Sequence, residues 1–451
     1  MKVCFIPIDN RPVCYNLAKD IAGIDCDTEL LIPPRELLGG LTEPAKNTEI
    51  LNWFSNLENI DYAVISLDTI TYGGLIQSRR SSKTFDEIKE NILKLKEILV
   101  SKKIKTYAFS SIMRISNNNF NTEEKTYWSE YGEKIFKYSY ESSKKGSMQN
   151  AGDYGIPKKI INDYLSTRKR NFEINKHYLE MQKNGLFETL VFSKDDCAEY
   201  GFNIDEAKKL KELGATVQTG ADEIPLTLLA RTINNKIKIF PLYTSPENTK
   251  LISNYEDIPL EESVKNQILL SGMVLAKNYD DADLILLVNN FEQRQGEIVM
   301  KIDTKEFRGE IKLPDKPYMI ADVRFANGAD NNFVKEVFKQ PYKPELFYGY
   351  SAWNTTANTL GSLLCAAKFR YNSKNYNQNA FEKLQAIRFA DDWAYQANVR
   401  QTLSEPEIID EDMKPYTEKI NNFLNKNFKY SIIYPYPWNR LFEVEIIAGN
   451  L

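Results

Sequence analysis

The chain has 451 residues, 42% hydrophobic and 27% charged, with a formal net charge of -4, a globular composition with room for one large domain or several smaller ones. The acidic balance and the short, scattered Lys clusters exclude a nucleic-acid partner, and no apolar stretch reaches bilayer-spanning length. Cysteines at positions 4, 14, 26, 197 and 365 are odd in number and scattered, which argues against a disulfide framework or a zinc site. With no signal peptide in the opening residues, the expected location is the cytoplasm.

Taken in chain order, short β-branched or aromatic runs recur, each ending in polar residues and most followed by a segment of helical period. They are "KVCFIPIDNRP", "TELLIPP", "DYAVISLDTITYGG", "IKTYAFSSIMR", "ETLVFSKDD" and "ATVQTGADE". Then come "KIKIFPLYTS", "ADLILLVNN", "PYMIADVRFANGAD" and "ELFYGYSAWNTTANTLG". Helical segments between them include "FDEIKENILKLKEILVSK", "IDEAKKLKELG", "IPLTLLARTINN", "SVKNQILLSGMVLAKN" and "NNFVKEVFKQ". Such alternation predicts an α/β fold with parallel strands, and the unbroken apolar character of "AVISL" and "LILLV" fits strands covered on both faces.

Because nearly every strand ends in polar residues at its carboxyl side, the expected architecture is a modified TIM-like (β/α) barrel over residues 1–365. Open, doubly wound parallel sheets are the alternative. An insertion at about 116–187, rich in Asn, Tyr, Lys and Glu, is expected to edge the site. Residues 366–451 read as a helical C-terminal extension. No G-x-G-x-x-G follows the first strand and no phosphate-binding P-loop occurs, so no cofactor is expected.

The only histidine, His177, lies in an amphipathic segment and reads as a boundary residue. A Ser-His-Asp triad, a Cys-His pair and a His-rich metal centre are therefore unsupported, and chemistry falls to carboxylates, amides, Tyr and Arg. Asp195 and Asp196 follow an apolar strand. Two close carboxylates repel, one pKa rises, and a neutral acid beside an ionised partner is what glycosidic-bond cleavage requires. The plainer reading is a cap on the next turn.

Asp9, Asp68, Asp222 with Glu223, and Asp322 are further acids at strand ends. Asp222 is also placed to cap a helix with Pro225 in its first turn. Tyr72 follows Asp68 and precedes Gly73-Gly74, which suit either a tight turn or close approach of a ligand. Asn289, Trp353 and Asn354, with Arg11, complete an expected substrate shell of amides, acids and an aromatic face. No metal is assigned.

The runs "IPIDNRP", "PPRELLGGLTEPA", "ISLDTITYGGLIQSR", "DDCAEYG", "TGADEIPLTLLAR", "DVRFANGAD" and "YSAWNTTANTLGSLL" resemble the successive motifs of a bacterial family known as domain of unknown function 4127. That resemblance brings no activity with it. The "KDD" at the end of a middle strand is also similar to barrel hexosaminidases that use substrate assistance. It implies one acid orienting an acetamido group and its neighbour protonating the leaving oxygen.

The expectation is a carbohydrate-active hydrolase acting on a small-molecule or oligosaccharide substrate, with Asp195 and Asp196 as the working pair. The alternatives are a Mg²⁺- or Mn²⁺-dependent enzyme on a phosphorylated or carboxylated small molecule, and a non-catalytic sugar or metabolite binder. Neither a nucleic acid nor a membrane is expected as a partner.

Overall fold

The computed structural model describes residues 1–434 and 436–449. Ten strands form where the sequence places them: β1 (Lys2–Ile6), β2 (Glu29–Leu31), β3 (Tyr62–Ser66), β4 (Lys105–Ile112), β5 (Thr189–Lys194), β6 (Thr216–Thr219), β7 (Lys238–Tyr243), β9 (Leu284–Asn289), β11 (Tyr318–Asp322) and β13 (Phe347–Ser351). Three short strands, β8 (Val274–Leu275), β10 (Gly296–Glu297) and β12 (Phe325–Ala326), are too brief to carry a periodic signal, and β14 (Lys429–Ile433) pairs antiparallel with β15 (Glu445–Gly449).

The fold is α/β with parallel sheets, and the strands do not close into one barrel. They form a six-stranded sheet of order β2-β1-β3-β4-β5-β6 and a five-stranded sheet of order β13-β11-β9-β7-β8. The open-sheet alternative is the one realised. Counted within its own sheet, each follows the order 2-1-3-4-5, the first with one more strand at its end. In this doubly wound order the chain reverses direction across the sheet at one point, and ligands bind outside the carboxyl ends of the strands there. Those points lie between β1 and β3, and between β7 and β9.

The chain divides into two compact units: Met1–Asn10, Leu30–Pro225 and Tyr255–Asp257 form the first, and Arg11–Glu29, Leu226–Asn254 and Ile258–Leu451 the second. The expected boundary near residue 365 falls inside the helix Thr356–Asn372, whose apolar side joins the core of the second unit with Leu284, Leu286 and Val288 of β9. All six residues of β9 are buried, as a strand covered on both faces requires. In the first unit the helix Phe85–Lys102 starts on a reciprocal cap between Thr84 and Glu87, which satisfies the first free N–H groups.

The 116–187 insertion belongs to the first unit. Its helices, Trp128–Lys144 and Lys158–Lys183, hold a small core of their own around Trp128, Ile135, Tyr138 and Tyr164. Among the described residues no helix is long and apolar enough to cross a membrane. Among the described residues the cysteines form no disulfide.

Candidate functional site

Asp195 is the first residue past β5, and neither it nor Asp196 caps the following helix, whose N-cap is Gly201 without a side-chain bond. Both turn to one guanidinium. Arg114, just past β4, donates from Nη1 to Asp195 at 3.3 Å and to Asp196 at 2.9 Å. Its other nitrogens reach Glu123 (2.8 Å) and Glu124 (3.3 Å), so the start of the insertion supplies two carboxylates to the cluster. Asp196 takes a left-handed backbone, φ 45°, uncommon for a residue with a side chain.

Burial raises the Asp196 carboxyl above the ordinary Asp range, and the charge of Asp195 raises it further against the pull of Arg114. Its side chain still keeps 34% of its surface open, so a substrate can reach it.

The acids after β1, β3 and β6 lie on the same carboxyl edge of the first sheet. Asp68 sits in the helix Leu67–Tyr72, which Ser66 caps through the Thr69 N–H. The Asp68 Oδ2 accepts from the Ser111 N–H at 2.8 Å. Burial lifts its carboxyl to about 7, partly offset by that bond and by Arg79. One turn on, the Tyr72 phenol is pushed up by burial and by Asp68. Gly73 is the left-handed cap of this helix, and a Cβ there would strike Pro44 at 2.6 Å; the glycine serves a tight turn. Asp9 and Asp222 each bring a carboxylate oxygen within 4.8 Å of the other.

Glu223 is fully buried and folds back on its own turn, accepting from the Ala221 N–H. It occupies the space a Cβ on Gly220 would need, 1.8 Å from Oε1.

Arg79 is 2% exposed and donates from Nη1 to Glu124 at 2.8 Å. Among the described residues its Nε and Nη2, the Asp68 Oδ1 and the Tyr72 hydroxyl have no hydrogen-bond partner, although Glu123 lies 3.6 Å from Nη2. Buried polar atoms are nearly always satisfied, and those that are not mark a place for water or a ligand.

Arg11, Asn289, Asp322, Trp353 and Asn354 belong to the second unit. Asp322 is fully buried, and its oxygens accept from Asn289 Nδ2 (2.8 Å), the Asp330 N–H (2.8 Å) and the Tyr350 hydroxyl (3.3 Å). Burial raises it, and Asp330 raises it further. Asn289 Oδ1 in turn accepts from Arg324 and Thr244, each at 3.2 Å. These bonds tie Asp322 and Asn289 into a buried network, with one lone pair of Asp322 Oδ1 and one N–H of Asn289 beyond them. At the reversal point, Asn290 binds the Ser245 N–H and carbonyl at 2.9 and 2.8 Å. Trp353 is 4% exposed, too buried for open sugar stacking.

Three residues of the Arg114 cluster escape a reading of the sequence. Arg114 ends the quoted run "IKTYAFSSIMR", where a basic strand end is its only signal, and Glu123-Glu124 lie in an insertion without periodicity. In the second unit Asp391-Asp392, inside "FADDWAY", reads as ordinary helix, yet the segment Phe389–Tyr395 is π-helical. Asp392 accepts from the Ala352 N–H at 2.8 Å and Arg388 at 3.1 Å.

No curated protein matches the chain. Among solved structures, a dinucleotide forming acetyl-coenzyme A synthetase 1 from Ca. Korarchaeum cryptofilum, in complex with phosphate and ADP, is 10% identical. That comparison covers 86% of this chain and 96% of that one at a TM-score of 0.16, a likeness that carries no argument. The model of the family described as protein of unknown function (DUF4127) matches residues 3–447, nearly the whole chain, and the protein belongs to that family.

Proposed function

We propose that the protein is a carbohydrate-active hydrolase whose first unit cleaves a glycosidic bond with Asp195 and Asp196. The observation that carries this reading is the shared Arg114: two adjacent carboxylates on one nitrogen, with Asp196 held above the usual range by burial and by its neighbour. Asp196 is the acid for the leaving oxygen, and Asp195 is the neighbouring base or orienting group that the reaction needs. Arg114 keeps the pair together without neutralising both. The unsatisfied atoms of Asp68, Tyr72 and Arg79 are as buried as Trp353, so they mark a place for water behind the pair rather than an open contact to sugar hydroxyls.

A panel of chromogenic glycosides, assayed with the wild-type protein and Asp196→Asn, tests the reading. Turnover that the substitution lowers supports it. Sugar binding without turnover would instead support the non-catalytic binder.

A Mg²⁺- or Mn²⁺-dependent enzyme on a phosphorylated or carboxylated small molecule is the second reading, favoured by the approach of Asp9 and Asp222, since hard cations take carboxylate oxygens. Activity lost in EDTA and restored by either ion would select it.

A further inference from the structure

We propose that the second unit carries a binding pocket of its own, at the carboxyl edge of its parallel sheet, that takes the primary ammonium end of a small ligand. The loop after β12, which follows β11, meets the loop after β13. Asn327 and Asn354 both take left-handed backbones, φ 62° and 55°, and the Asn327 N–H donates to the Asn354 carbonyl at 2.7 Å. Two non-glycine residues so held at the end of a parallel sheet are where such folds build ligand sites.

Asn327, Trp353, Asn354, Asp391, Phe442 and Glu443 line a pocket there. Only about 20 Å³ is open to the centre of a water-sized body, so it admits one compact polar group.

What that group must offer follows from the pocket's unused capacity. Asn327 is 7% exposed. Its Nδ2 donates to Glu297, which fixes the amide's orientation, and its Oδ1 is buried with no partner among the described residues. An orphaned buried acceptor of this kind is unfavourable until a donor fills it.

Asp391 accepts one bond on each oxygen, from Gln396 at 3.1 Å and from Arg388 at 2.9 Å, and each oxygen has a second lone pair to offer. The π-helical turn Phe389–Tyr395 presents it, a feature common at functional sites. Glu443, paired with Arg440, adds a second carboxylate. Arg11 also borders the pocket, but its guanidinium lies over the Trp438 ring, 4.8 Å from the centroid. The lining thus holds two carboxylates, each already paired with an arginine (Asp391 with Arg388, Glu443 with Arg440) but with lone pairs still to offer, one guanidinium, an unused amide oxygen, and the rings of Trp353 and Phe442. A small group with several N–H donors and a positive charge satisfies all of these at once. An anion would meet both carboxylates.

Methylammonium chloride is the probe, with tetramethylammonium chloride, of equal charge but without N–H donors, as the control at matched ionic strength. Calorimetric titration of the full chain should give saturable binding of methylammonium and none of tetramethylammonium. Asn327→Gly, which keeps the positive φ, should weaken it at least about tenfold. Asp391→Asn, which removes charge while preserving shape, should weaken it as well, so the test survives if the glycine variant folds poorly. No saturable binding of methylammonium, equal binding of both salts, or unchanged affinity in both variants would overturn the proposal and leave the cavity to a buried water. None of these readouts uses glycoside turnover, so they stand apart from the fate of the hydrolase reading.

Discussion

Asp195 and Asp196 accept from the same nitrogen, Arg114 Nη1, at 3.3 and 2.9 Å. Adjacent residues of an extended strand point to opposite faces, so this convergence requires the left-handed turn at Asp196. The backbone is bent where two like charges are brought together. If the pair is catalytic, Asp196→Asn should lower turnover of a glycoside with a poor leaving group by about 10²–10⁴, and of one with an activated phenol far less. Asp195→Asn should slow both alike. Steady-state kinetics on matched substrates reads the difference, and wild-type rates in both variants would make the pair structural.

Arg114 faces four carboxylates, those of Glu123, Glu124, Asp195 and Asp196. Arg114→Met should therefore destabilise the fold by about 3–5 kcal/mol near pH 8, as expected when a mostly buried ion pair loses one partner. The loss should be smaller at pH 5, where Asp196 takes up a proton. Thermal unfolding at the two pH values checks both statements.

Asp68 makes stability depend on pH in a definite direction. Its folded carboxyl holds a proton up to about 7, whereas an unfolded Asp releases it near 3.9 (about that value in peptides). Between those values the folded state binds more protons, so the contribution is complete below about pH 4 and is lost as pH rises to 7. Asp20, lifted by burial to about 6, acts in the same sense. Tm should fall from pH 5 to pH 8, and Asp68→Asn should flatten that slope. A Tm that rises over this range in the wild type, or an unchanged slope in the variant, contradicts the assignment.

Gly220 has φ 116°, and a Cβ there would lie 1.8 Å from Glu223 Oε1. Gly220→Ala should lower stability by at least about 1–3 kcal/mol, from backbone strain and displacement of the buried Glu223. Ala at Gly214, whose Cβ would meet nothing within 4 Å, should cost less, because only its φ of 89° opposes it. Chemical denaturation of the two variants compares them directly.

Much of this molecule is written locally. The apolar runs from "KVCFI" to "LFYGYS" determined ten strands, because a buried parallel strand needs an unbroken apolar stretch with a polar stop. The acids at those stops were legible for the same reason, and so were the family's motifs. Strand order was not. Periodicity along the chain says that Leu284–Asn289 is a strand but not that it lies between β7 and β11, since pairing is a contact between residues far apart in sequence. For that reason a single closed barrel and two open sheets look alike until the neighbours are known.

The site divides in the same way. Asp195-Asp196 stood out as a pair, but the partner that decides their chemistry, Arg114, comes from the strand before, and Glu123-Glu124 come from an insertion with no pattern of its own. Trp353 and Asn289 carried the right chemistry for a sugar site, yet packing buried the ring and spent the amide on Asp322 and Arg324. Side-chain type is a property of the sequence. Whether its hydrogen-bonding capacity is left open is decided only by what the tertiary structure sets beside it.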